Sequence, residues 1–158
     1  MMWAFILIAM IFCFGQNAPS FDGKRAMDLL ITQCTIGPRF PGSEGHSQMK
    51  KFMQKFLHPL ADSLYIMDEK ISHPYQRRYI TLTNYLARYN LDAYYRIMLM
   101  SHWDTREFAD QDLEPDNRSL PILGANDGAS GVAVLLVLAE ILHTLPTLNI
   151  GIDLLFVD

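Results

Sequence analysis

The sequence predicts an α/β fold: a mixed central sheet flanked by helices. Three observations carry that expectation. Helical periodicity and short β-rich runs alternate from residue 24 onward. Two of the runs, "YRIMLM" and "GIDLLFV", are nearly continuous apolar strands, the kind that lie mid-sheet with both faces covered. Between them, residues 128–143 are apolar nearly all round, which predicts a buried helix. The chain has 158 residues, half of them hydrophobic, enough for one domain with a sizeable core. Its formal charge of −4, with no basic run, argues against a nucleic-acid surface.

The elements follow in order. "MMWAFILIAMIFCFG" is one apolar run, shorter than the ~20 residues of a spanning helix, and a polar segment follows it. Residues 1–18 are therefore expected to be a signal peptide or an N-terminal anchor, and 19–158 part of a secreted or periplasmic domain. With that segment removed, Cys34 is the single cysteine, and it is expected to be buried on the face of Ala26, Met27, Leu30 and Ile31 of a helix over 24–34. "GPRFPGSEGH" is a Pro/Gly loop, with Ser43 placed to cap the next helix. Met49, Phe52, Met53, Phe56, Leu57 and Leu60 form one apolar stripe, read as core packing. Runs 63–72 and 78–90 predict strands joined by "HPYQR", in which His73 reads as a surface residue. The strand 95–100 leads into "SHWDT".

Residues 106–123 form a long acidic loop. An EF-hand beginning at Asp110 is excluded, because Pro115 stands where glycine is needed and Pro121 where the terminal glutamate is needed. A solvated rim or lid is the expectation. His143, at the end of the apolar helix, is expected to cap carbonyls.

Polar groups gather at strand ends: His102 and Asp104 after one strand, Asp127 in "GANDGASG", and Asp158 after the last. In an open α/β sheet these ends line the ligand crevice, so the three clusters are expected to converge there. Imidazole and carboxylates are zinc donors. His102 and Asp127 are the candidate metal ligands. Asp104 is grouped with the catalytic residues, as the carboxylate that holds the His102 imidazole in one tautomer. The competing reading of Asp127 is a helix N-cap.

"SHWDT", then "PILGANDGASGVAVLLVLAEIL", then "IDLLFVD", resembles the zinc exopeptidase superfamily of bacterial leucine aminopeptidases and glutaminyl-peptide cyclotransferases. "GPRFPGSEGH" and "HWDTRE" are similar to its glutaminyl cyclase branch. The resemblance implies Zn2+ as cofactor with Asp127 as a ligand. It makes His102 a ligand of a second metal in the aminopeptidases and a pocket residue in the single-zinc cyclases. The family follows the strand-ending aspartate with Gly-Glu-Glu or Gly-Glu-Asp and adds a late histidine ligand. The sequence ends at Asp158, so it is expected to be the N-terminal part of an enzyme and inactive alone. Three functions stay open. One is a cyclotransferase converting the N-terminal glutamine of peptides or proteins to pyroglutamate. Another is a di-zinc aminopeptidase. The third is a metal-free ectodomain that has lost catalysis. A membrane enters only through an uncleaved N-terminal segment.

Overall fold

The computed structural model describes residues 18–158 except Tyr75, Pro146 and Thr147. The expected signal or anchor segment lies, but for its last residue, outside the described residues.

Helix α1, Gly23–Ile36, starts at Asp22, whose carboxylate accepts from the Arg25 N–H. It buries Leu29 and Gln33, while Ala26 and Leu30 of the predicted face are partly buried against the core. Met27 and Ile31 are about half exposed, and Cys34 is only partly buried. The reason is a polar anchor: the Gln33 amide donates to the Ala129 carbonyl at 3.0 Å, which rotates the Leu29–Gln33 side inward. Helix α2, Glu44–Leu57, begins where expected, with Ser43 Oγ accepting from the His46 N–H. Met49, Met53 and Leu57 are fully buried, and Phe52, Phe56 and Leu60 pack around them.

Strands β1 (Ser63–Ser72), β2 (Tyr79–Tyr89), β3 (Arg96–His102) and β4 (Gly151–Val157) form one mixed sheet in the order β1-β2-β4-β3. The β1–β2 and β2–β4 pairs are antiparallel; β3 and β4 are parallel. A parallel pair needs a crossover, and helix α3, Ser130–Thr144, supplies it. Val132, Ala133, Leu135, Leu136, Val137 and Ala139 of α3 join Leu154 and Phe156 of β4 in the core, as the apolar run predicts.

Among the described residues the surroundings of β3 differ from those of β4. Strand β3 is the end strand of the order, and Ile97, Met98, Leu99 and Met100 are exposed by 37–65%. A continuous apolar run shows that both faces suit an apolar environment. It carries no information on which strands lie alongside. Strand β4, by contrast, is internal, and it carries a polar insertion: Asp153 accepts from Arg88 of β2 and Arg96 of β3. Two guanidiniums thus tie one carboxylate across three strands, and they hold it below the ordinary carboxylate range, with the Arg96 bond the larger cause.

Candidate metal centre

The carboxyl end of β3 is anchored by Trp103, which is fully buried. Its N–H extends the ladder to the Val157 carbonyl at 2.9 Å, and its indole donates to the Thr83 carbonyl at 2.9 Å. Because consecutive side chains alternate, burying Trp103 turns His102 and Asp104 to the opposite side. His102 Nδ1 then lies 3.0 Å from Asp104 Oδ1.

The "GANDGASG" segment approaches from the other side. It makes a wide turn, Ala125–Ala129, in which Asp127 and Gly128 leave helical geometry before α3 begins. Gly128 has φ +95°, and a Cβ there would stand 2.9 Å from His102 Cε1. A Cβ on Gly131 would stand 2.4 Å from Ser101 Oγ. These two absent side chains let α3 settle against β3 and bring Asp127 Oδ1 to 3.0 Å from His102 Nε2. Asp127 is not a helix cap. The residue at the cap position of α3 is Ala129, and no side chain caps that end. The N-cap alternative is thereby overturned.

His102 therefore stands between two carboxylates, one on each ring nitrogen. A neutral imidazole donates from only one nitrogen. With Nδ1–H given to Asp104, Nε2 presents a lone pair toward Asp127, and two acceptors face each other unless a proton or cation lies between them. The donor chemistry thus fits zinc, which takes imidazole nitrogen and carboxylate oxygen. Two donors are half of a four-coordinate shell. Among the described residues no group of three or more His, Cys, Asp or Glu side chains is placed to hold a metal ion.

Asp158 does not join this pair, contrary to expectation. Its side chain is fully enclosed: Oδ2 lies 2.7 Å from His46 Nε2 and accepts from the Thr83 N–H at 2.7 Å, while Oδ1 has no partner. The His46 ring stacks on Trp103 at 4.5 Å. The sequence reading missed His46, for nothing in "GSEGHSQM" separates it from a surface helix residue. It also missed Arg39, which is fully buried. The Arg39 guanidinium donates to the carbonyls of Gln33, Gly37, Trp103 and Gly124, and its own N–H donates to Thr105 Oγ1 at 2.7 Å. Burial pushes it below the usual arginine range, opposed by Cys34 and Asp104. An arginine inside a Pro/Gly loop was the available signal.

Two other histidines are placed differently from expectation. His73 is nearly buried; its Nδ1 accepts from the Gln76 N–H and its Nε2 lies 3.1 Å from Glu107. His143 meets the Leu60 carbonyl beyond α2, not its own helix end. Glu107 and Asp104 border a cavity of about 620 Å³ with apolar walls from Phe40, Pro41, Ile80 and Phe108. The acidic loop closes on itself, with the Ala109 N–H donating to the Leu120 carbonyl and Arg118 donating to the Asp112 carbonyl.

Residues 84–158 match the model of peptidase family M28. The chain is similar to the Porphyromonas gingivalis glutaminyl cyclase, at 33% identity and a TM-score of 0.83 over 89% of this chain and 49% of that one. It is similar to the Bacteroides thetaiotaomicron glutaminyl cyclase bound to N-acetylhistamine, at 33% identity and 0.82 over 89% and 47%. A Zn-dependent exopeptidase from Parabacteroides distasonis aligns at 28% identity and 0.81, over 89% and 47%. The chain thus spans about half the length of these solved structures. No curated protein matches it. The resemblance carried by the motifs is borne out, and so is the fold class: a mixed sheet flanked by helices, as in bacterial glutaminyl cyclases and zinc exopeptidases.

Proposed function

We propose that this chain, which has the fold of the zinc exopeptidases and glutaminyl cyclases, carries part of the active site of a glutaminyl-peptide cyclotransferase. The observation that supports this best is the His102 imidazole held between Asp104 and Asp127 at 3.0 Å on each side. Asp127 would be a ligand of zinc, His102 would line the pocket beside it, and Asp104 would fix the ring. Bound zinc would supply Lewis-acid polarisation of the substrate's γ-amide carbonyl. In the reaction the α-amino nitrogen of an N-terminal glutamine bonds to its own γ-carbonyl carbon. The bond to the amide nitrogen breaks, a proton passes from the amine to the departing nitrogen, and ammonia leaves. The apolar cavity beside Asp104 would receive the peptide that follows. The N-terminal apolar run supports export as the setting, with peptide or protein N-termini as substrates.

An aminopeptidase is the second reading, favoured by one detail. With Nδ1–H given to Asp104, His102 Nε2 has a lone pair free to ligate, as a second metal would require. The experiment measures zinc per chain in the full-length protein, together with turnover of a Gln-initiated peptide and of an aminoacyl anilide. One zinc with release of ammonia from the peptide supports the cyclotransferase. Two zincs with anilide hydrolysis replace it by the peptidase. No metal and no turnover would leave the non-catalytic ectodomain.

A further inference from the structure

We infer that Arg39 is a positioning residue that sets the spacing between the two halves of the metal centre. The two halves come from distant segments: His102 and Asp104 from the end of β3, and Asp127 from the turn before α3. The Arg39 guanidinium touches both. Nε donates to the carbonyl of Trp103, the residue between His102 and Asp104, at 3.1 Å, and one terminal nitrogen donates to the Gly124 carbonyl, three residues before Asp127, at 3.3 Å. Its other terminal nitrogen fastens the fork to the Gln33 and Gly37 carbonyls at 3.1 and 3.0 Å. Thr105, one residue past Asp104, accepts the Arg39 N–H.

Gly124 is shaped for this contact. It has φ +61°, and a Cβ there would stand 2.6 Å from Thr105 Cγ2 and 3.4 Å from the guanidinium. Among its contacts every partner of the buried cation is a neutral oxygen, so its placement follows the geometry of a planar fork rather than a salt bridge. Lysine offers a point charge on one nitrogen and cannot span the same carbonyls in one plane.

The inference rests on the zinc reading of Asp127, with His102 lining the pocket beside it, and the test separates the two. Cobalt(II) is loaded into the metal-stripped full-length protein, and its visible absorption band reports the geometry of its ligands. In Arg39→Lys the band should shift and cobalt affinity should fall at least tenfold while the protein still melts cooperatively. In Arg39→Ala, millimolar methylguanidinium should restore the wild-type band. Should neither Arg39 variant fold, Arg39→Gln, whose planar amide keeps one N–H2 group for these carbonyls, is read instead, and a shifted band there supports the role. A wild-type band and wild-type affinity in the folded variant overturns it and leaves the metal site standing. Wild-type protein that takes up no cobalt overturns both.

Discussion

Gly128 lies so close to His102 that a methyl group on it would stand 2.9 Å from the ring carbon Cε1 and 3.1 Å from Nδ1. Gly128 also has φ +95°, where a side chain is strained whatever the space. Gly128→Ala should therefore displace the imidazole from between its two carboxylates. We expect a loss of ~1–3 kcal/mol in stability and at least a tenfold loss of turnover. Denaturant midpoints and initial rates check this; an alanine variant with unchanged rates would mean that the ring's position is not critical.

Asp127 caps nothing, and its side chain is 66% exposed, so its removal should barely touch stability. Both Asp127→Ala and Asp127→Asn should stay within about 0.5 kcal/mol of the parent. Bound zinc and activity should fall by orders of magnitude, since an amide is a poor zinc ligand. Elemental analysis beside thermal melts reads the two effects separately. Stoichiometric zinc in Asp127→Asn would rule out the ligand role.

His46 partners a carboxylate that is fully enclosed. Taking the imidazole away leaves Asp158 with the Thr83 N–H and also uncovers one face of Trp103. His46→Ala should cost about 1–3 kcal/mol, the range for leaving a buried hydrogen-bonding group without its partner. The double variant with Asp158→Asn should lose less than the sum of the two single changes. Strict additivity in urea melts would contradict the coupling.

Asp153 is held below the ordinary carboxylate range, first by Arg96 and then by Arg88. A carboxylate with a depressed folded-state pKa adds stability above its unfolded value of ~3.9 and loses it as pH falls through the folded value. Stability should therefore decline progressively below about pH 4. In Asp153→Asn that part of the decline should be gone, with lower stability at neutral pH. Urea midpoints between pH 2.5 and 6 show whether the two curves converge in acid, as expected.

Strand β3 exposes Ile97, Met98 and Met100 at the end of the sheet. Apolar strands with open edges associate. Residues 19–158 prepared alone should bind a hydrophobic dye and self-associate. Met98→Lys and Met100→Lys should reduce both effects. Monomeric, dye-silent protein in light scattering would count against this.

Residues on one element were legible because their cause is local. The stripe from Met49 to Leu60 repeats with the helical period, so it declared its buried face without any partner. Ser43 reaches a backbone N–H only three residues on, and it caps α2 as read. The motif residues His102, Asp104 and Asp127 could be singled out by chemistry, and "GANDGASG" by its glycines. Contacts between distant segments were not legible. Arg39 meets Trp103 across 64 residues, His46 meets Asp158 across 112, and His73 meets Glu107 across 34. A polar side chain is buried when such a partner replaces its water, and no nearby residue announces the partner. The same holds for β3 and β4. Both are largely apolar runs, β4 interrupted by Asp153, yet among the described residues one is internal and the other is last in the order, because strand order is set by which backbones pair and not by the faces a strand presents. Asp158 shows this within a single residue: its place at a strand end pointed to the crevice, and only the packing of α2 against β2 brought His46 to it instead.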